Sequence, residues 1–336
     1  MSLERVVGAA LVGFLFWAFS DTKKRASPEI QQFFEHFHNS IKLEENDGRL
    51  KLRTKRGILL ETLKKKMAPH SLTFESFDQG SYALRTGVVP TNGNYDIDVG
   101  LIFDCSPERF PNPVHLKSLV YDALAEKNRT VSIRNACVTV TYVRNKRPEY
   151  HVDLALYVRA PNGSLLLGKG RKYSDAVKCE WVPSAPHELT QFVLSKFSDE
   201  EQAQFRRCIR YLKRWRDEKF TSGAPVSIAL TVAAAMWFEP KVAEDGSSFD
   251  LAALYALVKK MRGSFGNNLH LARLAVPLPG VPNIDLMSKL TPAQMSVFKQ
   301  RLGSLEDTLS MCFGDISVAT AAKALSSQFG PDFPTA

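Results

Sequence analysis

The run Asp96-Ile97-Asp98-Val99-Gly100-Leu101-Ile102-Phe103 constrains this chain more than any other stretch. Side chains alternate between the two faces of a strand. Asp96 and Asp98 therefore share one face, about 7 Å apart, while Ile97, Val99 and Leu101 share the other. The apolar face demands a packed core. The acidic face demands something different, because like carboxylates at this spacing repel unless a cation lies between them. The run predicts a sheet that is packed on one side and holds charge on the other.

A third carboxylate fits the same logic. In Tyr150-His151-Val152-Asp153-Leu154-Ala155-Leu156, the apolar residues 152, 154 and 156 form one face and Asp153 points the opposite way. Two neighbouring strands could then present Asp96, Asp98 and Asp153 to one pair of hard divalent ions. Mg²⁺ suits oxygen ligands and also takes triphosphate oxygens, and Mn²⁺ is the alternative ion. Two such ions about 4 Å apart can activate a hydroxyl and stabilise a leaving pyrophosphate in an in-line displacement. Gly80 and Ser81 precede the acidic strand. A glycine lets backbone approach phosphate closely, and a serine hydroxyl with helix-end N–H groups can hold a triphosphate. Taken singly, the two aspartates could be solvent-facing residues of an edge strand. In this order, with Gly80-Ser81 and Asp153, they form a specific pattern.

The remaining sequence suggests a frame for that pattern. The length of 336 residues suits two compact lobes or one bipartite unit. Ser27-Pro28-Glu29 is a helix start, and Ile30, Phe33, Phe34, Phe37 and Ile41 then form one helical face. A second helix is expected over 52–67. Its basic residues, among them Arg53, Lys55, Arg56 and Lys64, suit either a solvated face or contact with nucleic acid or lipid. From 72 to 157, short β-type runs alternate with Gly- and Asn-containing turns around a helix expected at 113–127. After about 185 the pattern is helical, with Phe205, Cys208, Ile209, Leu212 and Trp215 on one stripe. The Pro-rich piece 276–286 reads as a loop between helices. The fold class expected is α+β: a mixed sheet with helices, plus a C-terminal helical lobe. The boundaries expected are 1–26, 27–183 including the first helix, and 184–336.

The net charge of +9 favours anionic partners such as nucleotides, nucleic acid or a lipid surface. Five cysteines, none at a Cys-x-x-Cys spacing, indicate neither a disulfide framework nor a zinc ribbon, and a reducing compartment is the simplest home. Residues 6–20 carry no charge and are followed by Lys23, Lys24 and Arg25. Three readings stand open for them: a membrane anchor with the remainder of the chain on the cytoplasmic side, a helix packed on the protein or a partner, or a cleaved signal. The localisation expected is a cytoplasmic catalytic unit, tethered to the inner membrane if the anchor reading holds.

Residues 80–104 resemble the nucleotide-binding segment of the CD-NTases, the bacterial relatives of animal cyclic GMP–AMP synthase and 2′-5′ oligoadenylate synthetase. Residues 150–158, 180–193 and the pieces around Tyr211-Leu212-Lys213-Arg214-Trp215 and Pro225-Val226-Ser227 extend the resemblance over most of 28–336. The glycine, serine and aspartate motifs are common to all polymerase-β-like nucleotidyltransferases, and the flanking residues narrow the match. The resemblance implies a bilobed enzyme whose cleft joins two or three nucleoside triphosphates, ATP among them, into a cyclic oligonucleotide with release of pyrophosphate. That product would be a second messenger of CBASS antiphage defence, activating a downstream effector. By position, Asp96, Asp98 and Asp153 would hold Mg²⁺, and Gly80 and Ser81 would hold the donor triphosphate. Lys213 and Ser227 would reach that triphosphate from the helical lobe, the other reading of Lys213 being a solvated helix face shared with Arg210 and Arg214. The clustered Cys/His insertion of the animal DNA sensor is absent from the sequence, so zinc-thumb DNA sensing is not expected. Two other functions use the same features: a template-independent polymerase making linear products or extending RNA, and a non-catalytic nucleotide-binding membrane scaffold.

Overall fold

The computed structural model describes residues 27–335 other than 44–46, 92, 94, 127–128, 145–146, 244 and 267–271. The apolar run 6–20 and the anchor reading attached to it lie outside the described residues. Among the described residues, no helix is long and apolar enough to cross a membrane.

The acidic run becomes β2 (Tyr95–Phe103) of a mixed sheet. β1 (Phe74–Gln79) pairs with it antiparallel, and β5 (Arg147–Arg159) pairs with it in parallel on the other side. β4 (Val138–Arg144) and β3 (Arg129–Ile133) follow β5 outward, giving the order β1-β2-β5-β4-β3. β6 (Leu165–Gly168) and β7 (Trp181–Ser184) extend the far end of β5. β3 and β4 form a hairpin. Its two halves pair antiparallel, Arg134 N–H donating to the Cys137 carbonyl across the turn.

One face of this sheet buries Ile97, Val99, Leu101, Val152, Leu154 and Leu156. Two helices cover them: α2 (Asp47–Met67), contributing Leu59, Leu63 and Met67, and α4 (Pro113–Leu124), contributing Leu116 and Val120. Basic residues of α2 find local partners. Arg56 pairs with Asp78 at 2.8 Å, Lys64 with Glu61 at 2.8 Å, and Lys55 lies over the Tyr142 ring.

The second core is helical. It joins α1 (Pro28–Ile41), α6 (Asp199–Lys219), α7 (Ser227–Trp237), α8 (Asp250–Gly263), α9 (Pro292–Met311) and α10 (Val318–Phe329), with α5 (Pro186–Leu194) packed at its edge. The first helix, expected with the nucleotidyltransferase portion, buries its apolar face here instead. Phe34 and Phe37 pack against Tyr211, Phe329 and Phe333, with ring centroids 5.1–6.2 Å apart. The reason is the aromatic match: the α1 stripe meets one aromatic from α6 and two from the chain end. The Pro-rich piece read as a loop forms a small hairpin, β8 (Pro277–Leu278) with β9 (Val281–Asp285). All five cysteines are free thiols.

Candidate active site

The register of β2 against β5 builds the site. Asp98 stands level with Asp153, and Asp96 level with His151, across the parallel pair. Side chains of level residues on adjacent strands point the same way. The three aspartates therefore share the face opposite the apolar core. Thr139, level with Asp153 on β4, donates its hydroxyl hydrogen to Asp153 Oδ1 at 2.6 Å. Thr141 repeats the pattern one step along, its Oγ1 lying 2.9 Å from His151 Nδ1.

Past the acids the same face closes. Gly100 follows Asp98, and a Cβ there would run into the Phe77 ring. Phe77 covers the strand and packs against His187 of α5 at 4.3 Å. Tyr157 donates to Gln79 Oε1 at 3.0 Å beside it. The acidic end of the face is left open while the apolar end is roofed by the helical half.

Like charges held this close disfavour ionisation. Burial, and then the charges of Asp96 and Asp153, push the Asp98 carboxyl up to about 7. Burial of its surroundings and the Asp153 charge also raise Asp96. Asp96 remains exposed and Asp98 half-buried. These are oxygen donors whose repulsion a hard divalent cation would relieve, so the residues present fit such an ion chemically. Among the described residues, no three His, Cys, Asp or Glu side chains converge tightly enough to hold a single ion as they stand.

Gly80 follows β1 directly and opens α3 (Gly80–Ala83) with φ of +63°. A side chain there would overlap the Asp98 carboxylate, so the glycine is required by close approach as well as by its backbone conformation. Ser81, next along, lines a small cavity together with Tyr82, Arg85, Asp96 and Arg210.

Lys213 is buried, 4% exposed, and so does not belong to a solvated helix face. Its Nζ donates to the Thr86 carbonyl at 3.0 Å and to Thr86 Oγ1 at 3.1 Å. Burial, with Arg216 and Arg210 nearby, lowers it to about 7 against the opposing pull of Asp96 and Asp98. Arg214, 2% exposed, donates to the Val89 carbonyl at 2.7 Å. Arg210 donates to the carbonyls of Arg85 and Gly87. The α6 cations thus grip the segment that follows Ser81. Ser227 is the first residue of α7, and its hydroxyl accepts a hydrogen bond from Arg216.

Sequence reasoning missed Thr139, Thr86 and Arg216. Thr139 was open to detection, since strand alternation in residues 138–144 puts it and Thr141 on one face. Thr86 acts through a contact with Lys213 distant in sequence, and Arg216 through one that crosses from α6 to α7, and neither left a periodic signal.

Residues 74–157 match the family described as cyclic GMP-AMP synthase DncV-like, nucleotidyltransferase domain. No curated protein matches the sequence. The fold is shared with solved structures. Vibrio cholerae DncV cyclic AMP-GMP synthase is similar with a TM-score of 0.70 at 17% identity, over 90% of this chain and 97% of that one. The same protein in complex with the linear intermediate 5′ pppA(3′,5′)pG gives 0.69 at 16% identity, over 90% and 96%. Escherichia coli DncV in its 3′-deoxy GTP bound form gives 0.66 at 16% identity, over 88% and 93%. The resemblance read from the residues around Gly80, Asp96 and Asp153 is borne out, as is the α+β class.

Proposed function

We propose, from the premise that residues 74–157 form a DncV-like nucleotidyltransferase domain, that this enzyme joins nucleoside triphosphates into a cyclic di- or trinucleotide and releases pyrophosphate. One observation carries the reading: Asp98 and Asp153 stand level on parallel neighbours, directly beneath a glycine that admits no side chain. A scaffold that only bound nucleotide would gain nothing from that arrangement and would bear its cost in repulsion.

On this reading Asp96, Asp98 and Asp153 hold Mg²⁺, with Mn²⁺ a substitute. Such ions, when bound, would lower the pKa of the attacking hydroxyl and offset the charge on the leaving pyrophosphate. Asp98, whose carboxyl burial and the neighbouring charges push up to about 7, would hold such an ion in its ionised form. Thr139 holds one oxygen of Asp153 from the β4 side and so fixes the carboxylate's orientation. Gly80 brings backbone N–H groups close to the donor triphosphate and Ser81 adds its hydroxyl. Lys213 exchanges its Thr86 partners for a phosphate oxygen, and Ser227 approaches from the N-terminal end of α7. The catalytic lobe comprises residues 42–183, and α1 joins 184–336 in the helical lobe.

The wider setting follows from the same reading. The bound structures of DncV hold ATP- and GTP-derived ligands, which supports nucleoside triphosphates as substrates here. The product is a messenger for a downstream effector in CBASS antiphage defence. Of the readings open for residues 6–20, a tether of the catalytic unit to the inner membrane is the one that a deletion tests. Removing 1–25 should release the protein from the membrane fraction of cells, and a full-length protein found wholly in the soluble fraction would rule the tether out.

The test of the activity is direct. Purified protein with all four ribonucleoside triphosphates and Mg²⁺ or Mn²⁺ should yield a phosphatase-resistant product of cyclic mass. Asp96→Ala with Asp98→Ala should fold and release no pyrophosphate. Label wholly lost to phosphatase would mean linear products and the polymerase alternative. Undiminished turnover in the double variant would refute the site.

A further inference from the structure

Arg85 occupies an unusual place. Its φ of +54° lies in the left-handed region, which a residue with a Cβ rarely adopts and which glycine adopts freely. Strained non-glycine residues persist only where their surroundings over-determine them. The surroundings here do so. The Arg85 and Gly87 carbonyls accept from Arg210, the Thr86 carbonyl from Lys213, and the Val89 carbonyl from Arg214. On the other side Val89 N–H donates to the Ile41 carbonyl at 2.8 Å, and Leu43 N–H to that of Gly87 at 3.2 Å. The segment 85–89 is pinned between α6 and the end of α1, and Arg85 is forced into a shape that a glycine would take without strain.

The side chain held in this way is exposed and lines the cavity shared by Ser81 and Asp96. Its guanidinium makes no hydrogen bond or ion pair among the described residues. A second cation feels its charge. Arg206 has a buried Nε with no hydrogen-bond partner, and the Arg85 charge presses on it, opposed by Asp199. A guanidinium on strained backbone at the cavity, repelled by a second cation that has an unpartnered buried donor, is what an anion would satisfy.

We propose that Arg85 is a phosphate contact for the nucleoside triphosphate seated at Ser81. The proposal rests on the nucleotidyltransferase reading of the site and adds to it a residue of the segment that Lys213 and Arg210 hold. Arginine suits the task because its fork can meet two phosphate oxygens at once.

The decisive variant is Arg85→Gly, which removes the guanidinium and the strain together. Full-length protein is titrated with non-hydrolysable ATP and GTP analogues in Mg²⁺, and KM and kcat are measured with the natural nucleotides. Arg85→Gly should raise Kd and KM about tenfold, the scale of one charge-assisted contact. Its thermal midpoint should equal or exceed that of the native protein, and Arg85→Lys should recover part of the affinity. Kd within about twofold of native in a well-folded Arg85→Gly protein overturns the assignment. So does a variant that loses affinity for a short oligoribonucleotide while keeping affinity for the analogues. The Asp96→Ala, Asp98→Ala protein separates the two levels: continued pyrophosphate release from it refutes the catalytic site, whereas the Arg85 result is read from binding alone.

Discussion

At the scale of single residues, the acidic face explains itself through charge. Asp98 is raised from an ordinary carboxyl value to about 7, so the folded protein keeps a proton there that the unfolded chain releases near pH 4. Stability from this group is therefore full below about pH 4 and declines as pH rises toward 7, because the native state binds the extra proton throughout that window. Asp98→Asn should flatten the decline, making the variant more stable than the native protein at pH 8 in the absence of divalent ions. Chemical denaturation across pH 3 to 8 checks this, and parallel curves would count against the raised carboxyl. Lys213 works in the opposite sense. Its ammonium is lowered to about 7, so stability should rise from there to about pH 10, and Lys213→Met should lose that rise. Gly80→Ala places a methyl group against the Asp98 carboxylate. We expect it to abolish turnover, with secondary structure by circular dichroism unchanged.

At the scale of elements, two features hold the site in register. β5 sits at the sheet centre with Leu154 fully buried behind Asp153. Leu154→Ala should cost about 2–5 kcal/mol, the usual range for a core leucine. The second feature lies in the helical half. Asp250, wholly buried, accepts two bonds from Arg207 at 2.7 and 2.8 Å and one from the Tyr211 hydroxyl at 2.8 Å. Its own N–H donates to Gln31 of α1 at 2.8 Å, tying three helices together. Arg207→Ala would leave the carboxylate buried and unpaired, and such losses cost about 3–5 kcal/mol. Urea unfolding measures both variants. The α6 sequence shows why elements were easier to read than contacts. Its apolar stripe of Phe205, Ile209 and Leu212 has helical spacing, so the helix was legible. Which carbonyls its arginines would grip was not, because those partners lie more than a hundred residues away in the chain and carry no side-chain signal.

At the scale of the molecule, the sheet and the helical half each have their own hydrophobic core, and a small cavity takes Asp96 from the one and Arg210 from the other. Divalent ions should bind the three aspartates in the folded state and hence stabilise it. Mg²⁺ at a hundred times its dissociation constant should add about 2.7 kcal/mol to the native protein and nothing to the Asp96→Ala, Asp98→Ala variant. A thermal shift equal in both proteins would place the ion elsewhere. By itself, the sequence determined the alternation of β2 and β5, the shared face of Asp96 and Asp98, and the helical character of the second half, because these depend on periods of two and of three to four residues that neighbours along the chain enforce. Only the tertiary structure decided that Asp153 lies level with Asp98, that α1 belongs to the helical core, and that Lys213 is held by Thr86. Strand register, helix partners and the path of a buried cation depend on packing between distant segments, and short-range spacing does not record it.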